Sequence, residues 1–405
     1  MKKRTAIPFL CFVVLFVSAT CLQKANAQIP EYVVKGKIVD RETQQPLPGA
    51  SVFAQNTTLG TVSDSDGNFR LVLPGGGYTL AITFTGYDNE SVRVNQSVAA
   101  DSLLVSLSAQ VKSMEEVSIA ISNEVKDGWL RYGEFFVENF IGRSAVANQC
   151  RITNPEVLHF FFSKKRNRLK VNTSEPLIIE NFALGYIVQC SIDSFIHDYN
   201  SNTRLFVTQP FFKEMEGTDE QTAQWKENRL DAYEGSMLHF MRSLYDRDLL
   251  RQNFELQFIV HHEGSAYPIA LKDMYGAMNY HKDDSTGTVW CRPNQLEVAL
   301  IYKQEPEQAY QDMDTTRQRT FQLSTLLFEK DRSIAIEENG FFYDQEDLIT
   351  NGYLAFKKIG DMLPYDYLAF PEEQPVEIPQ PIPAPDMPAT DSSSAGVPKF
   401  LPDLR

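Results

Sequence analysis

The densest group of side chains that could do chemistry is His261, His262 and Glu263. Imidazole and carboxylate groups together can hold zinc, and an open fourth position on the metal would activate water for hydrolysis. Neighbouring strand residues point to opposite faces, so both histidines reach one metal only if a turn intervenes, which Gly264 would allow. The three residues are therefore candidates for a metal site. The favoured interpretation is that they are ordinary exposed residues in a loop and at the end of a strand.

Other patterns of catalytic residues are missing from the sequence. None of the six histidines begins an HxxE or HExxH motif, and there is no GxSxG or SxxK nucleophile motif. His281, Asp283 and Asp284 are the next polar group along the chain, and paired acids suit glycoside hydrolysis only at a separation that no sequence displays. His239 lies between apolar residues of a predicted helix and is interpreted as a packed histidine. We expect no catalytic residue, no cofactor and no enzymatic activity.

Two glycine-containing segments resemble ligand-binding loops but fit turns better. The run Asp64–Asn68 begins like a calcium loop, yet its glycine is at position four rather than six, and Gly75 occupies the position of the required glutamate. Aspartate and glycine tolerate a left-handed backbone, so a hairpin turn is predicted there. The run Pro74–Gly77 lacks the Lys-Ser/Thr of a phosphate-binding loop, and it is also predicted to be a turn.

The charge distribution argues against a nucleic-acid partner. The chain of 405 residues has a formal net charge of −15, which repels a phosphate backbone. One basic run, Lys164–Arg168, stands out against this background. It would suit contact with anionic lipid or polysaccharide, although a solvated hairpin turn is the favoured interpretation.

The first 27 residues have the three parts of a secretory signal peptide. Basic residues at 2–4 precede an apolar stretch, Pro8–Ala19, that is too short to span a membrane comfortably, and an A-x-A site predicts cleavage before Gln28. Lipidation at Cys21 is the alternative, although the residues before it fit a lipobox poorly. Loss of the signal peptide would leave the rest of the chain with a net charge near −19. No later run of apolar residues is long enough to predict a transmembrane helix.

Three cysteines remain after the signal, namely Cys150, Cys190 and Cys291. They share no close spacing, so a zinc site is not indicated. An odd number allows one disulfide and a free thiol or three buried thiols, and the apolar surroundings of Cys190 favour buried thiols.

Short strands separated by glycine and proline turns dominate the segment from Val33 to Leu107, which predicts an antiparallel β-sandwich. The ordered motifs GKIVD, PLPGASV, GTVSDSDGNF and YTLAITFTGY resemble the carboxypeptidase regulatory-like domain, a transthyretin-like β-sandwich. The resemblance implies a non-catalytic module of the Gram-negative cell envelope, where the domain often precedes a receptor. The residues after 110 are too few for a large receptor, so a receptor activity is not carried over.

The remainder of the chain predicts a larger α+β domain. A helix is expected from Ser122 to Gly142 with Asn123 as its cap, and a long amphipathic helix from Thr218 to Leu250 with a capping box at its start. Strands are expected between and after them, and Ile349–Leu363 fits either a strand or a short helix. The region also resembles an uncharacterised conserved region that follows this sandwich in other envelope proteins. The tail, residues 371–405, holds nine of the 21 prolines, which predicts disorder. The alternative is that this proline-rich segment is a ligand for a partner protein.

The sequence therefore predicts a mainly β, or α+β, exported protein of the periplasm or outer membrane, with secretion as an alternative. Its expected role is a non-enzymatic binding, docking or structural module for an envelope protein or glycan, with peripheral outer-membrane association and no membrane span. The alternative is an envelope hydrolase of peptide or glycan with its site in residues 150–370. The expected divisions are a signal peptide at 1–27, the sandwich at 32–110, a linker and helix at 111–149, the α+β domain at 150–370 and a disordered tail at 371–405.

Overall fold

Backbone pairing in the computed structural model defines the elements of residues 31–96, 102–110, 124–313, 318–343 and 347–369, which are the residues described below. The predicted signal peptide, Cys21, Asn123 and the tail at 371–405 lie outside these residues. Within them the protein is mostly strands, with short helices between them. The expectation of a mainly β, or α+β, fold is confirmed.

The N-terminal sandwich consists of a three-stranded sheet, in the order β4-β1-β7, and a four-stranded sheet, in the order β3-β2-β5-β6. Alternating residues of β1 and β4 point into the core between the sheets, as period-two hydrophobicity requires. All pairs are antiparallel except β1 and β7, which run parallel. The strands are β1 Glu31–Asp40, β2 Ser51–Ala54, β3 Gly60–Val62, β4 Asn68–Pro74, β5 Tyr78–Thr83, β6 Glu90–Val94 and β7 Leu103–Leu107.

A six-stranded sheet follows, in the order β8-β11-β12-β10-β9, with β13 paired along β12. Helix α1, Gly128–Phe140, packs the fully buried rings of Phe136 and Phe140 against this sheet. The predicted helix is therefore present, although it begins at Gly128, later than expected. The strands are β8 Cys150–Ile152, β9 Leu158–Ser163, β10 Arg168–Thr173, β11 Leu177–Asn181, β12 Tyr186–Asp198 and β13 Thr203–Glu214.

The single long helix predicted for Thr218–Leu250 is wrong, because two helices occupy this segment: α2, Asp219–Tyr233, and α3, Met237–Tyr245. Gly235 lies between them with φ of 73°, a left-handed conformation that ends the first helix. Ser236 then caps the second, since its hydroxyl accepts a hydrogen bond from the backbone of His239 at 3.1 Å. The predicted capping box at Thr218 is confirmed.

The C-terminal part contains a five-stranded sheet, in the order β15-β14-β18-β19-β21, and a small sheet, in the order β16-β17-β20. Helix α3 buries Phe240, Met241 and Leu244 in the same core as these strands. The segment Ile349–Leu363 was expected to be either a strand or a short helix, and it contains both, since strand β21 is followed by a helical turn. The strands are β14 Phe254–His262, β15 Ser265–Ala270, β16 His281–Lys282, β17 Val289–Cys291, β18 Glu297–Tyr302, β19 Gln322–Phe328, β20 Ile334–Ile336 and β21 Leu348–Gly352. The short helices are α4 Met274–Ala277, α5 Gln308–Met313 and α6 Tyr353–Phe356.

Candidate functional site

The two histidines among the candidate metal ligands point in different directions. Strand β14 continues to His262, and Glu263 and Gly264, with φ of 49° and 77°, form the two-residue turn that follows. The Nε2 atom of His261 lies 2.6 Å from Oε2 of Glu297, whereas Nε2 of His262 lies 3.8 Å from Oε1 of Glu263. The turn comes after both histidines, so they stay on opposite faces of the strand.

The other polar candidates lie on a different sheet. His281 is in β16 opposite Trp290, and Asp283 accepts hydrogen bonds from the backbone and side chain of Ser285 in the following turn. These hydrogen bonds hold the pKa of Asp283 below its ordinary value. Within the described ranges, no three His, Cys, Asp or Glu side chains are arranged to hold a metal ion.

The cysteine side chains are suited to packing rather than to chemistry. Cys190 and Cys291 are buried, Cys150 is half-buried, and, among the described residues, none of the three forms a disulfide bond. Burial raises the pKa of Cys150 and of Cys291 to about 12, which suppresses the nucleophilic thiolate. The prediction of buried thiols holds for Cys190 and Cys291, while Cys150 is more accessible than expected.

The most notable polar site lies where the sandwich meets the C-terminal sheets. The turn Gly76–Gly77 of the sandwich inserts against the segment from Glu337 to Tyr343. The Nδ2 atom of Asn339 donates a hydrogen bond to the carbonyl of Gly77 at 3.0 Å. A side-chain carbon at Gly77 would lie 2.5 Å from Cγ of Glu337 and 2.6 Å from the hydroxyl of Tyr343. Glycine at this position is therefore required by close approach.

Glu337 is the buried acid of this junction, with 4% of its surface exposed. The hydroxyl of Thr288 donates to its Oε1 at 3.1 Å, and the hydroxyl of Tyr343 also bonds to the carboxyl group. Burial raises the pKa of Glu337, and these two hydrogen bonds oppose the shift. The neighbouring acid in the sequence, Glu338, is exposed.

A second turn of the sandwich, Asn56–Thr58, makes the other contact. The backbone of Asn56 donates to the carbonyl of Pro210 at 2.7 Å, and the backbone of Phe212 donates to the carbonyl of Thr57 at 2.9 Å. The backbone and hydroxyl of Thr58 both donate to the carboxylate of Asp366. Because main-chain groups supply several of these bonds, the sandwich is fixed to the rest of the protein in one orientation.

A buried carboxylate also fixes the end of the described chain. Asp361 accepts hydrogen bonds from the hydroxyl of Ser144 at 2.5 Å and from the backbone of Lys358 at 3.2 Å. Its Oδ1 lies 3.4 Å from Nζ of Lys357, which also contacts Glu307 at 3.2 Å. Burial, the largest single influence, would lower the pKa of Lys357, but Asp361, Tyr353 and Glu307 together outweigh burial and raise it. These groups form a structural network between distant parts of the chain.

The edge strand β15 is a feature that the sequence analysis missed. All six of its residues are exposed, and Pro268 interrupts them, so neither burial nor alternation marks a strand. Its register pairs His262 with Ser265 and Ile259 with Pro268. In a two-residue hairpin the pair that closes the turn is hydrogen-bonded, and non-hydrogen-bonded and hydrogen-bonded pairs then alternate along the strands. Counting from the closing pair, Ile259 and Pro268 form a non-hydrogen-bonded pair, so the nitrogen of Pro268 faces the open edge of the sheet. Proline has no N–H to offer there.

Comparison with known proteins identifies the N-terminal segment. Residues 34–119 match the model of the CarboxypepD_reg-like domain, which confirms the resemblance drawn from the sequence. The TonB-dependent receptor P39 of Formosa agariphila is 28% identical over 127 residues, which cover 31% of this chain and 12% of the receptor. The TonB-dependent receptor SusC of Bacteroides thetaiotaomicron is 31% identical over 118 residues, covering 29% of this chain and 11% of the receptor.

The chain thus spans about a tenth of the length of the curated relatives it matches, and the similarity points to the cell envelope. Among solved structures, a DUF3823 family protein from Bacteroides ovatus is 9% identical, covers 46% of this chain and 83% of its own, and has a TM-score of 0.17. That value is too low to support a conclusion. In the described part of the chain, no helix has the length and apolar character needed to cross a membrane.

Proposed function

We propose that this chain is an exported cell-envelope protein with a docking or structural role and no enzymatic activity. The single observation that carries the proposal is the match of residues 34–119 to the CarboxypepD_reg-like domain, in a region shared with TonB-dependent receptors. The location would be the periplasm or the periplasmic side of the outer membrane, and the partner an envelope protein or glycan.

The contacts of the sandwich support a docking role. Two of its turns are occupied by the rest of the protein, at Asn339 and at Asp366. A sandwich held at two points presents its remaining surface in a fixed orientation, which reduces the conformational entropy lost on binding. We propose the divisions 32–110 for the sandwich, 111–149 for the linker and helix, and 150–370 for the α+β domain, with 1–27 as the signal and 371–405 as the tail.

Cell fractionation combined with affinity capture tests this proposal. A tagged full chain should be recovered with the envelope fraction and should retain a discrete set of envelope proteins or glycans. The matched control is a variant with Asn339→Ala and Asp366→Ala, which loosens the sandwich and should reduce the recovery. Recovery in the cytosol, or an identical set of captured molecules from a protein-free resin, would contradict the proposal.

The absence of enzymatic activity is proposed and can be tested through the candidate ligands. The wild-type chain and the double variant His261→Ala, His262→Ala should contain the same amount of metal by elemental analysis. Both should also fail to hydrolyse peptide and glycan substrates. One equivalent of metal in the wild type that is lost in the variant would instead support the hydrolase alternative.

A further inference from the structure

Two hairpin turns at one end of the six-stranded sheet are joined side by side. The first is Lys164–Asn167 between β9 and β10, and the second is Tyr199–Asn202 between β12 and β13. The backbone of Tyr199 donates to the carbonyl of Asn167 at 3.1 Å, and the Nδ2 atom of Asn167 donates to Oδ1 of Asn200 at 3.1 Å. Nδ2 of Asn200 donates in turn to the carbonyl of Arg166 at 3.1 Å. These bonds make one ordered end from two turns.

This end carries positive charge that the rest of the described protein leaves uncompensated. Lys164, Lys165 and Arg166 are all exposed, and none forms an ion pair with another described residue. The neighbouring acid, Asp198, is already bound by Arg168 at 2.8 Å. Three adjacent free cations on a chain of net charge −15 form a local surface of opposite sign.

Aromatic side chains lie on the elements that form this end, with Phe162 in β9 and Tyr199 in the second turn. The ring of Phe162 stacks on Tyr132 with centroids 6.1 Å apart, and Tyr199 meets Phe162 edge-on at 6.1 Å. Tyr199 is 38% exposed, and the other two rings are half-buried. Tyrosine rings flanked by basic residues are typical of the boundary between lipid headgroups and water.

We propose that this cationic end, defined as Lys164, Lys165 and Arg166 with Tyr132, Phe162 and Tyr199, binds the surface of an anionic phospholipid bilayer. The biological setting rests on the proposed envelope location, but the binding chemistry does not. Salt weakens the repulsion from acids elsewhere on the protein, because charges more than about 10 Å from the bilayer are largely screened at 0.1 M salt.

A polysaccharide fits this surface less well. Carbohydrates pack on open aromatic faces, whereas here Tyr132 is stacked on both Phe160 and Phe162. Tyr199 is likewise stacked on Phe135, with an interplanar angle of 28°. The ring faces are therefore largely occupied within the protein, and the exposed features are ring edges and cations, which suit headgroups.

Vesicle sedimentation tests the proposal with the purified full chain. Phosphatidylcholine vesicles are compared with vesicles that also contain phosphatidylglycerol, and only the second kind should bind the protein, less so at high salt. Each basic residue near an anionic surface contributes roughly fivefold in affinity, so the triple variant Lys164→Gln, Lys165→Gln, Arg166→Gln should bind on the order of a hundredfold more weakly. The control variant Lys226→Gln, Lys272→Gln, Lys330→Gln removes the same charge at three separate exposed positions and should stay within about twofold.

Thermal unfolding of both variants verifies that the fold is retained. Equal binding to neutral vesicles, an equal loss in the two variants, or capture by an anionic polysaccharide without any vesicle binding would overturn the lipid assignment. A protein that binds anionic vesicles but is recovered from the cytosol would contradict the proposed function alone, so the two failures are distinguishable.

Discussion

The side-chain amide of Asn339 donates a hydrogen bond to the carbonyl of Gly77, a residue 262 positions earlier in the chain. The same side chain caps its own turn, since its Oδ1 accepts a hydrogen bond from the backbone of Phe341 at 3.1 Å. One buried amide thus holds together the N-terminal sandwich and the C-terminal sheets.

Replacing Asn339 with alanine should destabilise the protein. The substitution leaves the buried carbonyl of Gly77 and the N–H of Phe341 without partners, which costs roughly 2–4 kcal/mol in the free energy of unfolding. Denaturant unfolding provides the measurement. Asn68→Ala is the control, because Asn68 is exposed, and it should change stability by less than about 0.5 kcal/mol. Equal effects of the two substitutions would show that the contact at Gly77 does not contribute.

The acid at the junction should make stability depend on pH. The folded-state pKa of Glu337 is raised above its ordinary value of 4.5, so its contribution is fully present below pH 4.5 and is lost as pH rises through the folded-state pKa. Thr288 and Tyr343 face the carboxyl group directly, and Tyr32 of the sandwich lies close enough for its own pKa to respond to it.

Glu337→Gln removes this titration. Unfolding free energies measured at several values from pH 4.5 upward should fall with pH in the wild type and fall less in the variant. Glu338→Gln, at the exposed neighbouring position, serves as the control and should follow the wild-type profile. A variant profile parallel to that of the wild type would contradict the assignment of the raised pKa to Glu337.

The network around Asp361 should be sensitive to loss of charge. Asp361→Asn weakens the attraction to Lys357 while keeping a similar shape. Breaking a buried ion pair costs about 3–5 kcal/mol when the remaining charge has no partner, and the loss here should be below that range because Lys357 keeps Glu307. The measurement is the unfolding free energy at neutral pH. Asp284→Asn changes an exposed acid and should be near neutral. If Asp361→Asn were equally mild, hydrogen bonds from Ser144 rather than charge would maintain the network.

The sandwich was accessible to sequence reasoning, because strands such as β4 alternate and most of its turns carry glycine, proline or aspartate. The break between α2 and α3 was also present in the sequence at Gly235 and Ser236. The sequence nevertheless predicted one helix, because apolar residues recur every three or four positions on both sides of the break. This spacing continues when a second helix begins in a similar direction.

The junction at Glu337 could not be predicted in the same way. Burial of this acid depends on Gly77 and Thr288, which are distant in sequence, and no local pattern reports such contacts. The run of three glycines at 75–77 was the only local sign, since one of them tolerates nothing larger. The divergence of His261 and His262, by contrast, follows from strand geometry alone.

Strand β15 has a consequence for the behaviour of many copies of the protein together. Its outer edge is open along six residues, and at its centre Pro268 presents a ring in place of an N–H. A strand of a second copy aligned there would lose a main-chain hydrogen bond in the middle of the contact. Pro268→Val supplies the donor and adds a β-branched residue, so we expect association that increases with concentration in light scattering. Pro48→Val, at an exposed turn position outside any strand, should leave the wild-type association behaviour unchanged. This one proline would then determine how concentrated the protein can become before the sheets of different copies pair edge to edge.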